Sequence, residues 1–274
     1  MVHDLSSFWA QHQCTIIPAY DVPMGAATSH PAVVYNALRK KPSNIAFFQP
    51  CRRPSDGRYG DNPCRLQKFH QFQVLMRPEP GCVQELVFQS YAAMGIDLRQ
   101  HDIKFVEDDW ESPSLGAVGI GWEVWLDGTE TTQVTYLHQM GGVDCPSSCI
   151  ELAYGIERIA LFLQNVPTMM DLCWHHDHNG RDLFYRQEQE LSRWAFDHAP
   201  TDGMMNHFDD HIAWGNACVD DALILPAYEH SMHANHIFNV LDARGSISVS
   251  DRAAFIGRIR KLVERCSQHW INES

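Results

Sequence analysis

The dipeptide Asp127-Gly128 constrains the fold more than any other short feature of the chain. Asp-Gly favours tight hairpin turns because both residues tolerate a positive φ. Strand-like runs stand on either side of it, at 122–126 and 131–137, although the connection between them looks longer than two residues. Other runs of strand composition are 14–17, 45–49, 69–76 and 101–107. Strands joined by hairpins indicate an antiparallel sheet rather than a doubly wound parallel one.

Helical patterns dominate the rest of the chain. Two early helices are predicted at 5–12 and 83–94, and from Glu151 onward apolar residues recur with the spacing of a helix. A polar, His-rich segment at 174–181 is predicted to loop out. Amphipathic stretches follow at 182–198, 204–224, 227–243 and 248–270, the last opened by a possible capping box. The pattern predicts an α+β domain over 1–170 and a helical domain over 171–274.

The charge balance bears on the partners of the chain. The 274 residues include 21 Lys and Arg against 34 Asp and Glu, which gives a net charge of −13 and argues against nucleic acid as the only partner. The nine cysteines are odd in number and scattered without a C-x-x-C pair, which predicts free thiols and a cytoplasmic location. We expect no membrane span, since no apolar run approaches ~20 residues.

Three arginines, Arg52, Arg53 and Arg58, share the turn-rich loop 51–60. Arginine presents a planar fork of donors that suits phosphate and carboxylate oxygens, so this loop could clamp a polyphosphate. The alternative interpretation is a solvated loop with ion pairs to nearby aspartates. In the run after the loop, Gln71 and Gln73 share a face with Phe69, an arrangement that suits a small polar ligand beside a flat one.

Other segments carry weaker signals. The glycine-rich stretch 105–125 contains acidic residues that could hold Mg²⁺ or an amine, and the histidines at 175–178 could bind a metal but are more typical of a solvated loop. Cys145 and Cys149 could also ligate a metal, although no second pair stands at useful spacing. The chain has no G-x-S-x-G, no P-loop and no G-x-G-x-x-G in a strand–helix–strand context. Their absence argues against a serine hydrolase of that type, a Walker NTPase and a Rossmann dehydrogenase.

The order of these pieces resembles motifs 1, 2 and 3 of a class II aminoacyl-tRNA synthetase. Longer blocks resemble the α subunit of the bacterial tetrameric glycyl-tRNA synthetase over nearly the whole chain. These blocks are GAATSHP (25–31), QPCRRPSDGRYGDNPCRLQKFHQFQV (49–74), HDIKFVEDDWESPSLGA (101–117), GWEVWLDG (121–128), AYGIERIA (153–160) and LPAYEHSMHANHIFNVLDARGSISVSDR (225–252).

The resemblance implies a class II antiparallel sheet flanked by helices, with a C-terminal helical domain. It implies that glycine and ATP, with Mg²⁺, form glycyl-adenylate and that the glycyl group then passes to tRNA(Gly). It also implies a larger β subunit that makes most tRNA contacts, and an α₂β₂ assembly in which two α chains pair. The isolated α chain would then form adenylate but charge tRNA poorly.

The resemblance also implies roles for individual residues. The expected catalytic residues are Arg52, Arg53 and Arg158, with either Arg52 or Arg53 on the α-phosphate. The expected ATP-binding residues are these three with Arg58, Phe69 and Glu157. The expected glycine-binding residues are Thr28, Ser29, Gln71, Gln73, Trp110, Trp122, Glu123 and Gln133, with His30 and Glu107 as further candidates. No metal ligand is assigned.

Two departures from the family pattern concern the arginine loop and the segment before motif 3. Class II sequences generally show Arg-x-Glu where this chain has Arg52-Arg53-Pro54, and the segment GVDCPSSCIEL (142–152) differs from the usual wording. Three alternatives stay open. They are a paralogue that activates an amino acid for a non-tRNA acceptor, a non-catalytic scaffold, and a metal hydrolase built on the histidine cluster.

Overall fold

The computed structural model describes residues 1–273 and contains a seven-stranded sheet. The strands are β1 (Thr15–Ile16), β2 (Ile45–Arg52), β3 (Lys68–Met76), β4 (Ile103–Ser112), β5 (Ala117–Leu126), β6 (Thr129–Met140) and β7 (Val143–Gly155). Their order across the sheet is β1-β2-β3-β7-β6-β5-β4. Every neighbouring pair is antiparallel except β1 and β2, so the predicted antiparallel sheet is confirmed with one parallel strand at its edge.

Helices flank this sheet and continue to the end of the described chain. They are α1 (Val2–Gln11), α2 (Pro31–Leu38), α3 (Val83–Ala93), α4 (Ile156–Gln164), α5 (Arg186–Arg193), α6 (Thr201–Asp220), α7 (Ile224–Ala243) and α8 (Val249–Glu273). Single π-helical turns, Arg181–Tyr185 and Trp194–His198, extend α5 at both ends. Among residues 1–273, no helix is long and apolar enough to cross a membrane.

The hairpin predicted at Asp127-Gly128 joins β5 to β6. Asp127 has φ 47° and Gly128 has φ 81°, and Leu126 pairs directly with Thr129. The connection is therefore two residues long, and the expectation of a longer one was wrong. Two successive positive φ values match the twist of the flanking strands, so no further residues are needed.

The helix expected from Glu151 begins only at Ile156. Residues 143–155 form β7 instead, between β3 and β6, with Glu151 paired to Leu75 on one side and Thr135 on the other. The helical spacing of apolar residues was overridden because the strand is buried in the centre of the sheet. The sequence pattern also gave no sign of α2, where the His30 side chain accepts a hydrogen bond from the Ala32 N–H (2.9 Å).

Two smaller predictions concern the second half of the chain. The His-rich segment contains a short hairpin of β8 (Cys173–His175) and β9 (His178–Asn179). The cap predicted before α8 is present, because Ser248 Oγ accepts a hydrogen bond from the Asp251 N–H (3.1 Å).

The two faces of the sheet bury different helices. One face carries Phe72 and Tyr154 in an apolar cluster that includes residues of α1 and α3. The opposite face carries Phe47 and Leu75 in a cluster with α2 and the C-terminal helices, including Phe238 of α7. Helices from the second half of the chain therefore cover part of the face that bears Gln71 and Gln73. The domain boundary near residue 170 stays a prediction.

Candidate active site

Polar side chains converge at the centre of the sheet on one face, here called the cavity face. In the pairing register, Gln71 of β3 lies opposite Gly155 of β7, and both Gln73 and Gln133 lie opposite Ala153. Alternate residues of a strand share a face, so these side chains project together. Because the central strand supplies only Ala and Gly here, the face has room for a cavity of about 320 Å³.

This cavity collects residues that are far apart in the sequence. The predicted site residues that line it are Arg53, Phe69, Gln71, Trp110, Gln133, Glu157 and Arg158. They come from the loop after β2, from the three strands β3, β4 and β6, and from the start of α4. The site is therefore a product of sheet pairing rather than of any local segment.

The two neighbouring arginines of the loop point in different directions. Arg53 lines the cavity, donates from Nε to the Gly25 carbonyl (2.8 Å) and places its guanidinium carbon 4.9 Å from the centre of the Phe69 ring. Arg52, the last residue of β2, lines a separate hollow with Tyr20 and Lys68. Adjacent residues of extended chain project to opposite sides, which accounts for the difference.

The third arginine of the loop has a different set of contacts. Arg58 is exposed and donates to the carbonyls of Ser55 (2.9 Å) and Gly57 (2.6 Å). These bonds hold the turn of the loop, and Arg58 does not line the cavity.

At the start of α4, Glu157 and Arg158 are both engaged with neighbouring strands. The Glu157 carboxylate accepts hydrogen bonds from the His70 N–H (3.0 Å) and from His70 Nδ1 (2.6 Å). Arg158 donates to the carboxylate and to the carbonyl of Glu130, each at 3.0 Å. Glu157 therefore anchors β3 to α4, while Arg158 keeps a positive charge in the cavity beside an acidic partner.

A buried polar cluster lies next to the cavity on the same face. Glu151 of β7, two residues before Ala153, accepts a hydrogen bond from Gln73 Nε2 and another from Thr28. Burial raises the pKa of Glu151 to about 7, and the Thr28 hydrogen bond partly opposes this. Within the described chain, the buried Oε1 of Gln73 has no hydrogen-bond partner. The cluster therefore has unused capacity for a polar ligand.

Three of the predicted glycine-binding residues make other contacts. Trp122 lies on the opposite face of the sheet, edge-on to Phe105 and Tyr136. Glu123 accepts a hydrogen bond from Trp125 Nε1 (2.8 Å) on the cavity face, but the cavity lining does not include it.

Ser29 also lies outside the cavity, and its carbonyl accepts a hydrogen bond from the Tyr228 hydroxyl (2.8 Å). Glu107 lines a separate hollow with Trp122.

Several charged residues at the cavity were not predicted from the sequence. Arg65 and Asp56 line it and form an ion pair (3.4 Å), and Glu130 lines it as the partner of Arg158. Asp56 stands in the loop 51–60 with the three arginines, and Arg65 follows that loop, so both could have been included with them. Glu151 could have been found only by recognising β7 as a strand, since its face is set by alternation with Ala153 and Gly155.

The arginine loop is fastened to the C-terminal half of the chain. The buried Glu188 of α5 accepts hydrogen bonds from the N–H groups of Gln67 (2.8 Å) and Lys68 (3.1 Å). Ser192 Oγ accepts another from the Tyr59 N–H (3.1 Å). Burial raises the pKa of Glu188, and the two backbone hydrogen bonds partly offset that effect. Helix α5 therefore restrains both ends of the segment that carries Arg65.

The described part of the chain contains no preformed metal-binding site beside these residues. Over residues 1–273, no group of three or more His, Cys, Asp or Glu side chains is arranged to hold a metal ion. Of the carboxylates that line the cavity, Asp56 and Glu130 each pair with an arginine, and Glu157 pairs with His70.

Comparison with known proteins identifies the class. All of residues 1–274 match the family model described as "Glycyl-tRNA synthetase alpha subunit". Two solved structures of pyrrolysyl-tRNA synthetase from Desulfitobacterium hafniense, one of them titled PylSc, are 12% identical with a TM-score of 0.45, and both matches cover 65% of this chain. The matches cover 71% and 73% of those chains.

The family match defines the protein as an aminoacyl-tRNA synthetase. The chain belongs to the glycyl-tRNA synthetase alpha subunit family, and it is the catalytic subunit of a glycine–tRNA ligase. The resemblance seen in the sequence, and the function it implied, are thereby confirmed. Enzymes of this kind use ATP, and an α subunit implies a β partner and tRNA.

Proposed function

We propose that this chain forms glycyl-adenylate in the cavity on the sheet and passes the glycyl group to tRNA(Gly) together with a β subunit. The observation that carries the proposal is the whole-chain family match. The cavity adds chemical support, since phosphate-directed arginines, an aromatic ring and amide side chains line one space. These groups suit a triphosphate, a purine and a small amino acid respectively.

The chemistry requires charge neutralisation more than covalent help. A glycine carboxylate oxygen attacks the α-phosphorus of ATP, the new O–P bond forms, and the bond to pyrophosphate breaks. We assign Arg53 to the α-phosphate because it faces the cavity while Arg52 faces a separate hollow. A fixed guanidinium at the point where negative charge develops lowers the barrier without reorganising solvent.

Adenine is assigned to the ring of Phe69, with Arg158 across from it. The Arg53 guanidinium lies over that ring, at 4.9 Å from its centre. Stacking of adenine on the same ring face therefore requires Arg53 to move off it, towards the phosphates. Arg158 would exchange part of its contact with Glu130 for phosphate oxygens.

Glycine is assigned to the end of the cavity near Gln71, Gln133 and the buried Glu151. Amide groups suit the carboxylate and ammonium of the substrate, and the Glu151 carboxyl offers a counter-charge for the ammonium. Since glycine has no side chain to grip, selectivity must come from steric exclusion of larger amino acids. Trp110, which lines the cavity, is the assigned wall.

Magnesium is treated as part of the ATP substrate. Mg²⁺ prefers oxygen ligands and is commonly held by one or two carboxylates together with substrate phosphates. Asp56 and Glu130 would become available to Mg²⁺ once their partners, Arg65 and Arg158, bind phosphate oxygens instead. Mg²⁺ neutralises phosphate charge when it is bound.

The assembly, location and domain division are proposed on the same basis. An α₂β₂ heterotetramer would supply the tRNA contacts that a chain of net charge −13 is poorly suited to make alone. We place the enzyme in the cytoplasm, where tRNA is charged for translation. We divide the chain into a catalytic domain, 1–170, and a helical domain, 171–274.

The main test compares two reactions of the isolated chain. Glycine-dependent exchange of pyrophosphate into ATP should proceed with the α chain alone, because adenylate formation needs only the cavity. Charging of tRNA(Gly) should require addition of the β subunit. A panel of other amino acids is the control. Efficient charging by α alone would refute the assembly proposal, and exchange driven equally by another amino acid would refute the glycine assignment.

A second test separates the two arginines. Arg53→Ala should lower the rate of pyrophosphate exchange about 100-fold or more, the usual effect of losing a donor to transition-state charge. Arg52→Ala is the matched variant and should have a much smaller effect. Unfolding midpoints of both variants check that the fold is intact. The reverse order of effects would move the α-phosphate contact to Arg52.

A further inference from the structure

The amide group of Gln71 is held in one orientation beside the cavity. Its carbonyl oxygen, Oε1, accepts a hydrogen bond from the Ala27 N–H (2.9 Å) and lies 3.3 Å from Cys51 Sγ, whose thiol donates to it. A backbone N–H can only donate, so the amide atom that faces Ala27 must be the oxygen rather than the nitrogen. The bonding partners therefore decide which end of the amide faces which way.

This orientation leaves the amide nitrogen as the group offered to a ligand. Gln71 lines the cavity, and among residues 1–273 no group accepts a hydrogen bond from its Nε2. The next amide on the same face of β3 has the opposite arrangement, because Gln73 Nε2 donates to Glu151 and Gln73 Oε1 has no partner in the described chain. Gln71 is therefore left with free donors and Gln73 with a free acceptor.

The backbone that binds the Gln71 oxygen also holds Arg53. The Gly25 carbonyl, two residues before Ala27, accepts a hydrogen bond from Arg53 Nε (2.8 Å). Ala27 is fully buried, so packing on all sides fixes the direction of its N–H. One short stretch of chain thus connects the guanidinium proposed for the α-phosphate with the amide of Gln71.

Cys51 closes the other side of the Gln71 oxygen. It lies opposite Phe69 in the pairing of β2 with β3, which makes it a diagonal neighbour of Gln71 on the same face, and it is 1% exposed. The Gln49 carbonyl, at 3.8 Å from Sγ, is a more distant acceptor. Burial raises the pKa of the Cys51 thiol to about 12, although the charge of Arg53 partly opposes this. The sulfur therefore keeps its proton at neutral pH and can donate it.

We propose that Cys51 is a positioning residue that fixes how glycine binds. By donating to Gln71 Oε1 together with the Ala27 N–H, it keeps both N–H bonds of Gln71 Nε2 available to the glycine carboxylate. An amide turned the other way would set its carbonyl oxygen against that carboxylate, and neither group could donate. Hydrogen bonds to an ionised acceptor are among the stronger ones, so the orientation of this amide affects substrate binding. The inference deepens the proposed function and rests on it.

The same arrangement gives glycine a direction in the cavity. Phe69, which lies under the Arg53 guanidinium, is two residues from Gln71 and four from Gln73 on one face of β3. A carboxylate bound at Gln71 is therefore on the side of Arg53 and the α-phosphate. The ammonium then lies towards Gln73 and Glu151, where the free acceptor and the carboxyl group are. This direction puts the attacking oxygen beside the phosphorus that it must reach.

The test is glycine-dependent pyrophosphate exchange by the full chain, measured at varied glycine and at varied ATP. In Cys51→Ala the KM for glycine should rise about three- to fivefold, the effect of losing one weak hydrogen bond, while kcat and the KM for ATP stay close to wild type. Cys51→Ser supplies a hydroxyl donor at the same place and should restore most of the affinity for glycine. An unchanged KM for glycine in Cys51→Ala, or an equal rise in Cys51→Ser, would overturn the role of the thiol.

The matched control for the loss of a buried thiol is Cys14→Ala. Cys14 is 5% exposed and packs in the apolar cluster on the opposite face of the sheet, so its truncation should leave the KM for glycine unchanged. Urea unfolding of each variant checks that the fold is intact. A rise in KM for glycine in Cys14→Ala, or an equal rise for ATP in Cys51→Ala, would show a general disturbance and would also overturn the proposal.

Gln71→Glu tests the donor itself. Glutamate has the same shape and can still accept from the Ala27 N–H, but it presents an oxygen in place of Nε2. The KM for glycine should rise about tenfold or more, the effect of losing one hydrogen bond to a charged group. An unchanged KM in an enzyme that still depends on glycine would overturn this inference alone. Wild-type chain without glycine-dependent exchange would refute the proposed function itself, so the two failures can be distinguished.

Discussion

Replacing Glu151 by glutamine should make the stability of the protein less dependent on pH. Glu151 is 3% exposed, and burial raises its pKa to about 7 from an ordinary value of 4.5. The folded chain therefore holds this proton more tightly than the unfolded chain does. Stability from this group is full below about pH 4.5, declines as pH rises and is lowest above about pH 7.

The size of the effect follows from the two pKa values. A carboxyl that titrates near 7 when folded and near 4.5 when unfolded costs about 3 kcal/mol once the pH exceeds both values. Between about pH 5.5 and about pH 8, the loss is about 2 kcal/mol. In Glu151→Gln this loss disappears, and the new amide can still accept from Gln73 Nε2 and can donate to the unpaired Gln73 Oε1.

Urea unfolding followed by tryptophan fluorescence measures the difference. Wild type should lose about 2 kcal/mol more than Glu151→Gln over that pH interval, and taking this difference cancels the titration of the histidines. Glu111→Gln, at an exposed position of β4, is the matched control and should follow wild type. Equal losses in wild type and Glu151→Gln would refute the argument that burial of this carboxyl controls the titration.

Two further pairs of substitutions test the cavity wall and the sheet. Trp110→Ala should reduce the rejection of alanine and serine in pyrophosphate exchange about tenfold or more. Trp122→Ala should leave that rejection unchanged, because Trp122 lies on the other face of the sheet. Equal effects of the two substitutions would show that Trp110 is not the wall of the glycine site. Gly121→Ala should lower the thermal midpoint strongly, since a Cβ would lie 1.9 Å from the Val134 carbonyl oxygen. The matched control is Gly257→Ala in α8, where the new Cβ meets no atom within 4 Å and should raise the stability by about 1 kcal/mol. A higher thermal midpoint for Gly121→Ala would contradict the close approach of β5 to β6 at this position.

The sequence pattern predicted the elements whose signals are local. The hairpin at Asp127-Gly128 and the strand over β3 could be recognised because turn residues and alternation act over a few positions. Helix α3 ends before Gly95, which has φ 94°, as the pattern indicated. By contrast, β7 was interpreted as helix because its identity depends on pairing with two strands that are distant in sequence.

In the candidate site, too, local motifs identified some features and tertiary packing decided the others. Family motifs identified Arg53, Phe69, Gln71 and Arg158, which share the cavity, because those residues stand inside recognisable blocks. Motifs could not separate Arg53 from Arg52, since both stand together in the loop. The direction of each side chain is decided by where β2 ends and how the loop packs.

By itself, the sequence determined the family, the reaction and the local elements, because motif residues and turn chemistry can be recognised over short stretches of chain. Only the tertiary structure decided which side of the sheet each residue faces and which residues from separate strands meet. It brought Glu151 into contact with Gln73 and put Trp122 on the far face. The physical reason is that strand register is set by long-range pairing, and a register difference of one residue reverses the face of every side chain.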